Sequence, residues 1–185
     1  KEFMGYLNYQ ITDSLTFKLF YKKESKYKNQ KSDFMNEPKK HTLSHIYGKI
    51  IIKANKGITI ASRFDFSKFQ TDGVNSFGRT SYLELCHLGK LNSLSARMVF
   101  FKTDNWDTRI YLYEKDVLYH FSVPALYDKG TRFYINYNLT LGKHIKIWLK
   151  YGRTVFENKS SISSGNNQID GNLKTEIRGQ ILCKF

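Results

Sequence analysis

Lysine and arginine recur on the polar side of alternating segments, an arrangement suited to holding anions. Lys18, Lys22, Lys49, Lys53, Arg63, Arg97, Arg132, Lys146, Lys150, Arg178 and Lys184 are placed this way, against few acids such as Asp65 and Glu176. Rings of such residues favour anions at a pore, and phosphate-rich polymers bind such surfaces in a salt-dependent way. The competing reading is a plugged interior, in which acids from a plug or from further strands neutralise the cations.

Other chemistries find less support. His120-Phe121-Ser122 would put histidine and serine on one face of a strand, as a histidine-activated serine requires, but no obvious acid orients His120. Ser44 and His45 are adjacent and would face opposite sides. His41, His45, His87 and His144 show no ligand spacing, so no metal is expected. Cys86 and Cys183 lie far apart and read as unpaired apolar fillers. Phosphate-cradling glycine motifs, paired-carboxylate signatures and nucleotide fingerprints are missing from the sequence. Asn138-Leu139-Thr140 and Asn158-Lys159-Ser160 match a glycosylation sequon that is common by chance. The expectation is a chain with no catalytic site and no cofactor.

A chain of 185 residues suits one domain, here 1–185. Aromatics make up 16%, with 13 Tyr and 14 Phe against 2 Pro, which argues for a β-rich fold rather than a disordered tail. Thirty Lys+Arg against 16 Asp+Glu give a formal charge of +14 and point to an anionic partner. No stretch reaches the roughly 18 consecutive apolar residues of a membrane-spanning helix.

A period of two runs along the chain. Phe3, Gly5, Leu7, Tyr9 and Ile11 alternate with Met4, Tyr6, Asn8 and Gln10, and Leu15, Phe17, Leu19 and Tyr21 with Thr16, Lys18, Phe20 and Lys22. The pattern returns at Ile46–Ile52, Ile58–Phe66, Phe133–Leu139 and Ile145–Tyr151. Successive strand side chains point to opposite faces, so each segment has one apolar and one more polar face.

Connections add a second pattern. Short turns are expected near 12–14, 55–57, 89–93 and 141–143, alternating with long polar loops near 27–40, 70–79, 104–129 and 158–173. Outer-membrane barrels place short turns at the periplasmic end and long loops outside. Most segments supply roughly ten residues, near the 9 to 11 of a tilted membrane strand. Tyr9, Tyr21, Phe66 and Tyr151 fall near segment ends, where interfacial girdles belong. Within 104–129, the stretches 109–114 and 117–127 could each form a strand, raising the count from about eight to about ten.

The last segment sets Ile177, Gly179, Ile181, Cys183 and Phe185 on one face and Glu176, Arg178, Gln180 and Lys184 on the other. This resembles the C-terminal assembly signal of outer-membrane proteins, with Ile181, Cys183 and Phe185 at the positions read by the barrel-assembly machinery and Cys183 where an aromatic is more usual. A broader likeness runs from Asp107-Thr108-Arg109-Ile110-Tyr111-Leu112-Tyr113-Glu114 through Phe121-Ser122-Val123-Pro124, Lys129-Gly130-Thr131-Arg132 and Trp148-Leu149-Lys150-Tyr151-Gly152-Arg153-Thr154 to Gly171-Asn172. It is similar to the barrel half of Bacteroidetes outer-membrane proteins that carry a competence-type helix-hairpin-helix domain. That resemblance implies DNA as one candidate polymer, although the helix-hairpin-helix segment itself is absent from this sequence.

The expected fold is therefore all-β: an antiparallel transmembrane β-barrel of about ten strands in the outer membrane of a Gram-negative cell, represented by its C-terminal portion and incomplete at the N-terminus. Its basic lumen would be lined by Lys18, Lys49, Arg63, Arg97, Arg132, Lys146, Lys150 and Arg178. Expected partners are outer-membrane lipid, the assembly machinery, other outer-membrane subunits and nucleic acid. The leading functional expectation is a pore, transport or translocation component, and the alternative is a structural subunit of a larger outer-membrane complex.

Overall fold

Residues that alternate apolar and polar while avoiding proline have one stable use, the pleated strand with one buried or lipid-facing side. The computed structural model describes residues 1–31, 36–157 and 159–185, and in it this pattern becomes a single antiparallel sheet of nine strands. They are β1 (Glu2–Thr12), β2 (Leu15–Lys31), β3 (Asn36–Asn55), β4 (Ile58–Thr71), β5 (Val74–Leu88), β6 (Asn92–Thr103), β7 (Lys129–Leu141), β8 (Ile145–Phe156) and β9 (Leu173–Cys183). Each pairs with its neighbours in chain order. β1 and β9 are the two edges, and among the described residues no ladder joins them.

All four expected short turns lie at one end of the sheet. At the other end, two of the four expected loops are corrected. β2 and β3 stay paired out to Lys31 and Asn36, so most of 27–40 is hairpin, with positions 32–35 outside the described residues. Likewise 70–79 is largely strand, closed by Asp72 and Gly73 at φ 44° and 77°. Two consecutive positive-φ residues suit the right-handed twist of a tight hairpin. Above the apolar segments these strands are polar on both sides, which imitates a loop in sequence. The connections 104–128 and 157–172 are long as expected, with Asn158 outside the described residues.

The strand count is corrected as well. Stretches 109–114 and 117–127 do not join the wall. They form a small separate hairpin, Ile110–Tyr111 against Ala125–Leu126 with a further bridge from Glu114 to Ser122. This hairpin folds back over the polar face.

Register defines the two faces. Leu15, Ile52, Ile60, Leu85, Ala96, Ile135, Tyr151 and Ile177 stand side by side from β2 to β9 on the apolar face. Lys18, Lys49, Arg63, Tyr82, Val99, Arg132, Thr154 and Lys174 form the matching row on the polar face. The apolar face is bare: Leu83 on a central strand is 60% exposed and Ile177 is 76% exposed. The buried core lies on the opposite side, where Ile110, Leu112 and Leu126 of the loop pack on Tyr82, Val99, Phe101 and Phe156. A water-soluble sandwich would bury its greasy side and leave its charged side in solvent. This chain does the reverse.

Candidate functional site

The polar face and the hairpin laid across it form the most chemically elaborate part of the molecule. Asn105, leaving β6, sets the path: its Oδ1 accepts from the backbone N–H groups of Asp107 (3.1 Å) and Thr108 (3.2 Å), and its Nδ2 donates to Ser76 Oγ at 2.8 Å. The chain then passes close over β5 at Gly78. A Cβ there would stand 2.3 Å from the Thr108 carbonyl oxygen, so only glycine admits this approach. Ile110, Leu112 and Glu114 turn toward the wall and are buried, while Tyr111 and Tyr113 turn away and are exposed. Period two thus persists in an arm that belongs to no sheet wall.

Glu114 and Asp116 meet three wall cations. Arg132 donates from Nε to Glu114 Oε1 at 2.6 Å and from Nη2 to Oε2 at 2.7 Å, a two-pronged contact, and its other contacts are Thr154 (2.7 Å) and Glu176 (2.5 Å). Lys150 Nζ lies 3.0 Å from Asp116 Oδ2, 3.2 Å from Glu114 Oε2 and 2.9 Å from Ser122 Oγ. Arg178 donates to Asp116 and pairs with Glu176 at 3.2 Å. Gly152 makes room, since a Cβ there would press on Glu176 and Arg132. Three carboxylates therefore answer three cations in a region where Lys150 is 2% and Glu114 1% exposed. Such a cluster adds little net stability over an apolar replacement, but it fixes one arrangement, because each charge is costly without its partner.

Arg97 fastens the same arm from β6. It donates to Glu84 Oε1 and to the Tyr113 carbonyl, both at 2.7 Å, with its guanidinium over the rings of Tyr82 (4.4 Å) and Tyr134 (5.2 Å). Lys115 reaches Ser95 Oγ at 2.8 Å.

Asp116, at the hairpin tip, is held ionised. Burial opposes its charge, yet the Val117 amide and the Lys150 and Arg178 cations outweigh it and keep the carboxyl below the ordinary aspartate value of 3.8.

All eight residues expected to line a lumen project from the polar face. The loop cluster gathers Arg97, Arg132, Lys150 and Arg178. Arg63 lies apart, donating to Asp65 (Nε at 2.8 Å) and stacking 3.6 Å from the Tyr47 ring. Lys18, Lys49 and Lys146 have no ion pair among the described residues, and Lys49 lies 5.9 Å over the Tyr82 ring. The face is thus less positive than its wall strands alone suggest, because Glu114 and Asp116 of the hairpin offset it. In sequence these acids sit in strand-like alternation, and nothing marks which wall they oppose.

The possible catalytic pair is corrected. His120 does find an acid, with Nδ1 2.9 Å from Asp116 Oδ2, but His120 is exposed whereas Ser122 is buried against Lys150. Among the described residues no hydrogen bond joins His120 to Ser122, whose Oγ instead accepts from Lys150 Nζ.

At the C-terminus, Ile181 and Cys183 point from β9 to the bare apolar face. Phe185 follows the strand fully exposed, after the Lys184 amide donates to the His144 carbonyl at 2.8 Å. Cys86 and Cys183 are both free thiols. No group of His, Cys, Asp and Glu among the described residues is arranged to hold a metal.

Against known proteins, no family model, no curated protein and no solved structure matches this chain.

Proposed function

We propose that this sheet is wall from an outer-membrane β-barrel acting as a pore, transport or translocation component for anions, with the 104–128 connection folded into its lumen. One observation carries the reading: a face bare and apolar across all nine strands backs onto a charged face that the chain's own hairpin covers. Lipid-facing and lumen-facing residues alternate in this way along every strand of such barrels. Short turns at one end and the long connections at the other give the orientation. Lys18, Lys49 and Lys146, free of ion pairs among the described residues, are the cations left to attract a passing anion.

Planar-bilayer recordings of the reconstituted full-length protein test this. Anion-preferring steps are expected, larger in Glu114→Gln/Asp116→Asn, where the hairpin loses its charged anchors. Silence from both proteins, or cation preference, would count against a pore. DNA is one candidate polymer, on the strength of the family resemblance, and current block by added oligonucleotide checks it.

A second reading, an interaction subunit of a larger outer-membrane complex, is favoured by the β1 and β9 edges, which are unpaired among the described residues. Chemical cross-linking in membranes, giving one discrete heteromeric product, would support it.

A further inference from the structure

We infer that a row of cations on the outward, apolar face binds the phosphate groups of a phosphorylated glycolipid, in the leaflet at the long-connection end. The inference rests on the membrane reading above and adds a ligand to it. Arg79, Lys102 and Lys129 are direct cross-strand partners on β5, β6 and β7. Like charges in such positions repel at about 5 Å, so an uncompensated row is unfavourable. Lys129 has Glu157 for company. The side chains of Arg79 and Lys102 have no hydrogen bond or ion pair among the described residues. Lys68, one strand over, rests its ammonium 5.9 Å from the Phe77 ring.

These cations border a cleft of about 340 Å³ in which Arg79, Lys102, Lys129 and Glu157 stand with Phe64 and Phe100. A neighbouring cleft joins Arg79 and Lys102 to Phe66, Phe77 and Asp104. Asp104, one oxygen of which accepts from the Phe77 amide at 2.8 Å, offsets part of the charge at this second cleft, and the first cleft is the better phosphate site. Charge above and aromatic surface below match a lipid whose phosphates meet the cations while its acyl chains run down the greasy wall.

The distribution is one-sided. Lys23, Lys68, Arg79, Lys102, Lys129 and Arg153 project from the apolar face toward the long connections. At the short-turn end, the same face carries Leu15, Ile52, Ile58, Leu85, Leu94, Leu139 and Ile145 in its strands, with no lysine or arginine. Scattered solubilising charge would occupy both ends. With the long connections outward, the cations lie level with the outer-leaflet headgroups. Several phosphates carried on one sugar headgroup suit a row spread over several strands. Arg79 supplies a planar fork for one phosphate and Lys102 a compact point charge.

The test is lipid retention. The full chain, refolded into phosphatidylcholine vesicles containing bisphosphorylated lipid A, would be extracted in mild detergent and its bound lipid counted by native mass spectrometry. Arg79→Gln/Lys102→Gln should retain about tenfold less lipid A, as expected for losing two charge-assisted contacts. Lys56→Gln/Lys143→Gln, which removes equal charge at the short-turn end, should retain as much as the parent. Lipid A stripped of its phosphates should not be retained by the parent protein, a comparison that needs no variant to fold. Millimolar inorganic phosphate should not displace the lipid.

Equal retention by the two double variants, or of the stripped lipid, overturns the site, and so does full displacement by inorganic phosphate. A chain that fails to float with vesicles overturns the membrane reading and this inference together. One that floats but retains lipid without regard to phosphate overturns this inference alone.

Discussion

Arg132 shows what a single buried charge demands. Its side chain is 3% exposed, and Glu114 supplies two of its hydrogen bonds. Glu114→Gln leaves Arg132 and Lys150 short of a carboxylate, and the expected destabilisation is about 3–5 kcal/mol. Glu114→Leu/Arg132→Met should recover most of it, because the cost is an unpaired charge rather than a lost attraction. Urea unfolding midpoints in detergent micelles read both. Asp116 adds a pH signature. A carboxyl held below its ordinary value contributes stability that is complete above that value and is lost as pH falls through the folded one. The hairpin should therefore stay clamped from neutrality down to about pH 4 and loosen only in stronger acid. Hydrogen exchange of amides 110–126 measures this, and Asp116→Asn should flatten the profile. At this scale the sequence was half legible. Alternation alone put Arg132, Lys150 and Arg178 on one face. Their partners Glu114 and Asp116 sit in an arm whose fold-back no local pattern specifies.

That arm is where elements were hardest to read. Ile110, Leu112 and Glu114 alternate as a wall strand would, since period two reports that one side is buried and says nothing of what buries it. Loop cues misled for a related reason. The ends of β2 to β5 rise above the apolar belt and are polar on both faces, so a paired hairpin looked like a coil until Asp72-Gly73 showed a two-residue turn. Gly78 isolates the hairpin's role from the wall's. Gly78→Val places carbon where the Thr108 carbonyl now lies, at a position with ordinary strand dihedrals. The expected result is a wall that still assembles, by unchanged far-ultraviolet dichroism, with a displaced hairpin. Cleavage near Tyr119 by chymotrypsin should then speed up about tenfold or more, the scale of a displacement costing ~1.4 kcal/mol or above. Unchanged cleavage would mean that the hairpin is not held by its approach to β5.

For the whole molecule, the question is what medium touches the apolar face, and Leu83 on central β5 asks it directly. In a bilayer its side chain would stand among acyl chains, where an arginine near the midplane costs about 2–4 kcal/mol. In water the same exposed position would accept arginine within about 0.5 kcal/mol, and the change would improve solubility. Leu83→Arg is therefore expected to lower the unfolding free energy of the vesicle-inserted chain by the larger amount. Arg79→Leu, on the same strand and face but at the cationic rim, should change it little, because charge near the interface costs only about 0–1 kcal/mol to keep. The contrast between the two positions matters more than either value. A soluble sheet gives no reason for sensitivity to charge to depend on height along the strand, whereas a hydrocarbon layer imposes a profile that peaks at Leu83 and fades toward Arg79. Equal tolerance at both, together with Leu83→Arg protein that stays dispersed without detergent, would assign the bare face to water and remove the basis for a barrel wall.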